Sequence, residues 1–404
     1  MKILSIETSA DETAVSIIEA TGEFPDATYE ILGNALHSQI ELHTQYGGIF
    51  PMMAKREHAK AIVPLLQNAL EEAGMLIKSS PGIEQPPALP SSSRNLEQSR
   101  VERLHEILIK EPELADTFIT FLESHDIKDE IGCIAVTSGP GLEPALWVGV
   151  SFAKALSFIL NVPVVPINHM EGHILASLYD VVQDDAIAEV RFPALALLIS
   201  GGHTELVLIK NWGFYEKVGQ TKDDAVGEAF DKVARMMGLP YPGGPEIGRR
   251  AKIAREEKLP PFKKDMPRPM LHSGDLNFSF SGIKTSVRNA IEGKELTETN
   301  KNALSRDFED AVTEVLLKKT QTALTQYGAQ TLIVGGGVSA SSHIREIFQT
   351  ELLHSHPDIE VYFPQPKLST DNSIMIALAG HAHVTEGRTA GAVGLIRADG
   401  NKSL

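Results

Sequence analysis

The segment Asn168-His-Met-Glu-Gly-His173 sets two histidines four residues apart. On a helix that spacing puts both imidazoles on one face, where they can share a metal ion. Imidazole suits zinc, iron and similar ions. Spacing alone leaves a purely structural role open for the pair. A hydrolytic role is harder to sustain. Zinc peptidases of the H-E-x-x-H type carry their general base directly after the first histidine. Met170 occupies that position here, and Glu171 comes one place later, turned by about 100° around a helix. Gly172 is also a poor helix former. A third ligand must come from elsewhere. Asp371 lies in Ser369-Thr-Asp-Asn-Ser373, just before an apolar helix over Ile374–Ala379. It can cap that helix, or it can be a carboxylate ligand in a site with positions left for substrate oxygens.

Small, polar turns after apolar strands are the second chemical signal. Ile3–Ile6 runs into a turn at Thr8–Asp11 and resumes as Ala14–Ile18. Leu195–Ile199 runs into Ser200-Gly-Gly-His203 and resumes as Glu205–Ile209. In register, Ser9 matches Ser200 and Thr13 matches Thr204, so each half opens with a similar hairpin and two related lobes are expected. A third turn, Gly335-Gly-Gly-Val-Ser339, follows Thr331–Val334. Glycine-rich turns let backbone N–H groups approach a phosphate. Each alone can be mere chain reversal; the combination favours nucleotide binding. The pattern predicts an α/β, two-lobed fold like that of actin, the seventy-kilodalton heat-shock chaperones and the sugar kinases, with a mixed sheet duplicated in the two lobes. The backbone amides of Ser200, Gly201 and Gly202 suit a phosphate. Asp11 can aim a carboxylate into the cleft as proton acceptor or substrate orienter, against the alternative of a turn-forming residue; Glu12 is the weaker candidate. His203 can assist the chemistry or be structural.

These residues need a scaffold of ordinary composition, and the chain supplies one. Its 404 residues are 42% apolar and 22% charged, enough for two or three domains and a sizeable core. The expected division is an N-terminal lobe over 1–166, carrying an insert at 77–126 and completed by 385–404, and a C-terminal lobe over 167–384. The insert begins Pro- and Ser-rich, like a linker. It continues as a helix with Val101, Leu104, Ile107 and Leu108 on one face, then Phe118 and Leu122 after Pro112. It is expected on the surface. No apolar run approaches the roughly 20 residues of a membrane span, and the acidic start does not read as a leader, so the cytoplasm is the expected location. The single Cys133 reads as a core thiol. Net charge is −16, unlike a dedicated nucleic-acid binder, so any such contact needs a local basic patch or a partner. Lys55, Arg56, His58, Lys284 and Arg288 are the candidates.

The motifs IETSADET (6–13), YGGIFP (46–51), TSGPGLEPALWVG (137–149), NHMEGH, ISGGHTEL, DDAVGEAFDKVARMMGLPYPGGP (223–245), FSFSGIKT (278–285), DFEDAV (307–312), VGGGVSA and STDNSIMIA follow one another in this order. In that order they resemble the bacterial tRNA threonylcarbamoyladenosine transferase family (TsaD) nearly end to end, the insert excepted. The resemblance implies transfer of the threonylcarbamoyl group from threonylcarbamoyl-AMP to N6 of the adenosine 3′ to the anticodon in tRNAs reading ANN codons. It implies one divalent metal per chain, Fe(2+) in preference to Zn(2+), held by His169, His173 and Asp371. It implies nucleotide contacts at Leu198, Ile199, Ser200, Gly201, Gly202, Asp231 and Gly244. It also implies partners: tRNA, a catalytically inert paralogue of the TsaB type, a small ATPase of the TsaE type and an upstream synthase that makes the adenylate. Two positions depart from the family pattern. Ala10 stands where the family usually has Cys, which removes any need for a thiol. Ser341 stands where it usually has Asn; the hydroxyl still hydrogen-bonds, with shorter reach, and is taken as a nucleotide contact. A kinase of the same fold would explain the phosphate turns but not the metal ligands, and an inert scaffold could dispense with all three. Replacing His169 or His173 by Ala should therefore remove about one iron or zinc per chain in metal analysis, as one three-ligand site requires; full metal content in both variants would refute the site.

Overall fold

The structure is a computed structural model and describes residues 1–78, 91–180, 185–388 and 392–404, the side chains of 78 and 91–97 excepted. Its apolar runs form two sheets of one design. In the first, β1 (Lys2–Glu7) pairs antiparallel with β2 (Glu12–Thr21), which pairs antiparallel with β3 (Thr28–Ser38). On its other side β1 runs parallel to β4 (Ile131–Gly139), and β4 parallel to β5 (Val164–Asn168). The second sheet repeats this with β6 (Ala194–Ile199), β7 (Thr204–Asn211), β8 (Phe214–Gln220), β9 (Thr331–Gly335) and β10 (Glu360–Tyr362): β6–β7–β8 antiparallel, β6–β9–β10 parallel. Glu7 faces Ala14 in one hairpin and Leu198 faces Glu205 in the other, the pairing that the Ser9/Ser200 and Thr13/Thr204 matches require. A ribbon of Tyr179–Asp180 and Ala186–Ile187 extends the first sheet beyond β3.

Both faces of each sheet are covered, which is why the central strands read as continuous apolar runs. Helices α1 (Pro51–Glu72) and α2 (Glu143–Leu160) cover the outer face of the first sheet; Leu4, Ile6, Leu66, Leu146 and Phe152 share that core. Helices α3 (His169–Leu178) and α5 (Ser373–Thr385) lie between the sheets, where Ile3, Ile174, Met375, Leu198 and Ile333 form one cluster. The long α4 (Glu298–Tyr327) and the helices Val226–Met236 and Gly243–Glu256 cover the second sheet from outside. Strand β6 shows the period of two. Leu195, Leu197 and Ile199 join the outer cluster, while Ala194, Ala196 and Leu198 join the inner one. Helix α2 is long and apolar enough to cross a membrane by composition, yet its Leu146, Val150, Phe152 and Leu156 are buried inside the protein.

The segment expected on the surface contributes to the core. Its helices are Ser91–Ile107 and Pro112–Ser124. Leu104, Leu108, Leu114, Phe118 and Phe121 are buried in the first lobe, and Phe118 meets the Phe152 ring edge-on at 5.0 Å. Leu114 and Phe118 are one helical turn apart, so a single amphipathic face packs inward; expecting a surface segment overlooked how much apolar area that face carries. Most of the Pro- and Ser-rich stretch lies outside the described residues. The C-terminal tail returns to the first lobe: Asp399 N donates to Ser138 O at 2.8 Å, and Lys154 Nζ to Ile396 O at 2.7 Å. Cys133 is buried, which pushes its thiol up to about 12.

His58 is not at the surface, as a tRNA contact would need. It is fully buried beneath the first hairpin turn, with Nδ1 2.7 Å from Thr13 Oγ1 and Nε2 3.1 Å from Ala10 O. His381 is likewise buried, 3.0 Å from the Tyr29 hydroxyl. Burial pushes both imidazoles down to about 4. An unfolded histidine takes up its proton near pH 6.5, which the folded one refuses until about pH 4. Because the unfolded state then binds more protons, stability is retained above about pH 6.5 and falls as pH drops toward 4. The thermal midpoint should decline over that window, with a shallower slope in His58→Gln; an identical slope in that variant would overturn the assignment.

Candidate active site

Asn168 ends β5 and caps α3, its side chain accepting from Met170 N at 2.9 Å. This starts the helix at His169, so His169 and His173 lie one turn apart and meet edge-to-face with ring centroids 4.7 Å apart. Gly172 lies on the face that meets α5. A Cβ there would sit 3.1 Å from side-chain atoms of both Met375 and Ile376, so the glycine allows a close helix crossing. The cap of α5 is Asn372, not Asp371: its side chain accepts from Met375 N at 3.0 Å. Asp371, one residue earlier, is free to face the histidines. Its Oδ1 is 3.3 Å from His169 Nε2 and 3.2 Å from His173 Nε2. Ligand atoms from the three residues lie within 4.8 Å of one another. Donors bonded to one ion at about 2.0–2.2 Å stand roughly 3 Å apart, so the spacing fits. Among the described residues His173 Nε2 is buried without a well-aligned hydrogen-bond partner, which a bound cation would satisfy. Two imidazoles and a carboxylate suit iron or zinc.

The electrostatics agree. Burial opposes the charge on Asp371, but His169 and His173 outweigh it and hold the carboxyl well below its usual range. Burial also opposes an imidazolium at His169, but Asp371 and Glu7 outweigh it and raise the ring well above its ordinary value. Burial keeps His173 low. Glu171 points elsewhere: Oε2 is 2.8 Å from His383 Nε2, and Oε1 accepts from Tyr215 at 2.9 Å and Arg388 at 3.1 Å. No peptidase base therefore faces the histidines from this helix.

Glu7 and Ser9 escaped the sequence reading. Glu7 Oε2 is 3.2 Å from His169 Nδ1, and Glu7 also accepts from the Thr137 hydroxyl and Ser9 N. A carboxylate on the far ring nitrogen fixes the tautomer and turns Nε2 toward Asp371. Ser9 Oγ is 3.3 Å from the same Nδ1. A buried carboxylate at the end of an apolar strand was the available signal.

Beside this cluster lies the turn Ser200–His203. Ser200 N donates to His203 O at 2.9 Å, and His203 N to Ser200 Oγ at 3.1 Å. A Cβ on Gly201, Gly202, Gly244 or Gly337 would meet nothing within 4 Å, so backbone edges open space at these positions. Gly336, at φ 90°, approaches Ile199 O so closely that a Cβ would lie 2.5 Å away, and one on Gly335 would lie 3.0 Å from His173 O. The late turn is thereby locked against both β6 and the histidine helix. Leu198 and Ile199 are fully buried, backbone included, so they shape the floor of the turn from beneath. Asp231 accepts from Gly243 N at 2.7 Å, and burial raises its pKa. The Ser341 hydroxyl is engaged within the protein: it caps the helix Ser342–Ser355 through Ile344 N and donates to Glu309 Oε1 at 3.3 Å. Asp11 and Glu12 are buried in the first turn. Burial raises Asp11, and burial with Asp371 and Asp11 pushes Glu12 up to about 10. His203 is pushed down to about 4 by burial and by His169 and His173, so its ring is neutral. Of the basic candidates, Lys55 pairs with Glu111 and Lys284 with Asp224, while Arg56 and Arg288 are exposed.

Two lobes of one strand order, with glycine turns and a His/His/Asp cluster between them, define a two-lobed α/β enzyme of the actin and sugar-kinase architecture. The family described as tRNA N6-adenosine threonylcarbamoyltransferase (TsaD) matches residues 30–83 and 113–378, leaving out 84–112 within the segment set apart above. A protein of that name from Aromatoleum aromaticum is 38% identical over 397 residues, 98% of this chain and 95% of that one. Another, from Methylobacillus flagellatus, is 39% identical over 382 residues, 94% and 92% of the two chains. The chain belongs to the tRNA N6-adenosine threonylcarbamoyltransferase family. Among solved structures, full-length HypF in the phosphate- and nucleotide-bound form is similar with a TM-score of 0.48, at 12% identity over 95% of this chain and 46% of that one.

An outer carboxylate on a ligating histidine typically contributes 10- to 100-fold to metal affinity. Glu7→Gln should weaken iron or zinc binding by about that factor in a competitive chelator titration, with the fold intact by circular dichroism; unchanged affinity would show that Glu7 does not orient the ligand.

Proposed function

We propose that this chain transfers the threonylcarbamoyl group from threonylcarbamoyl-AMP to N6 of the adenosine 3′ to the anticodon in tRNAs reading ANN codons. The observation that carries the reading is the convergence of His169, His173 and Asp371, in a member of this family, next to turns whose glycines open onto free space.

The chemistry sets clear demands. The N6 lone pair is spread into the adenine ring, so the amine is a poor nucleophile. It must be held against the carbamoyl carbon while charge builds on the carbamoyl and phosphate oxygens. As the N6–carbon bond forms, the bond from that carbon to the phosphate oxygen breaks, AMP leaves with the electron pair, and N6 loses a proton. His169, His173 and Asp371 would hold a divalent ion, Fe(2+) in preference to Zn(2+), which when bound would supply Lewis-acid stabilisation of those oxygens. The amides of Gly201 and Gly202 hold the phosphate; Ser200 N, expected to join them, is already spent on His203 O. Asp231 takes ribose hydroxyls with the oxygen not used by Gly243 N, and Gly244 lets the backbone pass close to the nucleotide. Asp11, made more basic by burial, accepts the amine proton. Glu12, held protonated, is a donor beside it. Neutral His203 orients rather than carries charge. Ser341 acts on the nucleotide pocket mainly by setting Glu309 and the helix behind the late turn.

With a net charge of −16, and with Lys55 and Lys284 already paired, intrinsic tRNA affinity is modest and falls steeply with salt. An inert paralogue, a small ATPase and an upstream synthase complete the system in the cytoplasm. Unmodified tRNA incubated with threonylcarbamoyl-AMP, this protein and those partners should yield threonylcarbamoyladenosine in nucleoside mass spectrometry. No product, under conditions where a known family enzyme works, would refute the function.

A further inference from the structure

A cavity of about 210 Å³ opens directly beside the phosphate turn, lined by Met170, His203, Lys217, Asn401 and Lys402 among others. Met170 follows His169 in the chain and His203 ends the Ser200–His203 turn, so the cavity borders both the histidine helix and that turn. It is closed on one side by the C-terminal tail. The tail is held there by Asp399 N donating to Ser138 O, and by Lys402 Nζ donating to Ser138 Oγ at 2.7 Å. Ser138 in turn follows Thr137, which donates to Glu7, the partner of His169.

The charges lining this cavity are unequal. Lys217 is neutralised by Glu205 at 2.7 Å, and His203 is neutral. Lys402 is half-buried and its ammonium donates to the neutral Ser138 hydroxyl; it has no ion pair within 4.0 Å among the described residues. Burial lowers its pKa, with Glu171 and Asp399 acting against the shift at longer range. A half-buried ammonium facing a small cavity without a carboxylate partner is a site for an anion. The size suits a group of a few heavy atoms rather than a nucleotide.

On the reading above, the transferred group carries one anion of this kind. Beyond the carbamoyl carbon, the threonyl unit presents an α-carboxylate and a hydroxyl. We propose that this cavity is the threonyl subsite, that Lys402 binds the α-carboxylate, and that the tail thereby selects acidic acyl groups for transfer. The proposal rests on the assigned activity and extends it from the reaction to the identity of the acyl group.

The test compares threonylcarbamoyl-AMP with its analogue lacking the α-carboxylate, built from 1-amino-2-propanol, in wild type, Lys402→Met and Lys402→Arg. Met keeps the packing of the stem and removes the charge. Hydrogen bonds to charged groups are worth enough that Lys402→Met should raise KM for threonylcarbamoyl-AMP on the order of 10- to 100-fold. It should leave KM for the analogue within about twofold of wild type, well under the factor that one such bond is worth, and kcat nearly unchanged. Lys402→Arg should recover part of the loss. Equal losses on both substrates, or no loss on either, would overturn the assignment. Activity on the analogue doubles as the control for folding. A wild-type protein inactive on threonylcarbamoyl-AMP would instead count against the assigned reaction, whereas an active wild type with indifferent Lys402 variants would count against the subsite alone.

Discussion

The structure depends on the close crossing of α3 and α5 between the two sheets. Gly172 has no Cβ to hold Met375 and Ile376 away, and both helices give their apolar sides to one cluster with Ile3 of the first sheet and Leu198 and Ile333 of the second. That cluster joins the lobes. It also holds the two helix starts, set by the Asn168 and Asn372 caps, side by side: His169 starts α3, and Asp371 immediately precedes the cap of α5. Close packing makes such a crossing nearly incompressible. The donor geometry is thus set by apolar contacts on one side of the helices and used on the other.

The buried carboxylates near the two helices are tolerated because they are answered. Asp371 faces two imidazoles, Glu7 faces His169 and two hydrogen-bond donors, and Glu171 faces His383, Arg388 and Tyr215. A buried carboxylate without such partners would neutralise itself. Glu12 does that, pushed up to about 10, while Asp11 beside it is raised by burial. Burial thus favours the protonated form of both neighbouring carboxyls. The two glutamates near the histidines separate by helix geometry: Glu7 reaches His169 from a strand end, and Glu171, two residues along α3, points to the opposite side.

Much of this was legible from local pattern. Repeated hairpin motifs disclosed the duplicated lobes because strand register and turn length are written in a few adjacent residues. The i, i+4 histidines disclosed a shared helix face for the same reason, and Met170 argued against a peptidase. Ordered motifs disclosed the family. Besides the roles of Glu7 and Ser9, three features were not legible. The segment near Phe118 reads as surface because only its inward face is apolar, and what covers that face comes from α1 and α2. His58 reads as a basic surface residue because a sequence does not reveal which side of α1 lies under the Ala10 turn. Asp371 reads equally as cap or ligand until Asn372 is seen to take the cap.

By itself, then, the sequence determined which elements form, that they form twice, and which residue types are available for metal, phosphate and proton. Those depend on spacings of one to seven residues, where backbone geometry leaves little freedom. Only the tertiary structure decided that Glu7 supports His169, that Ser341 is engaged by Glu309, and that Lys402 returns to the cleft beside Met170. Each is a contact between residues tens to hundreds of positions apart. Such contacts follow from how covered sheets and crossing helices stack, and no local period in the chain encodes them.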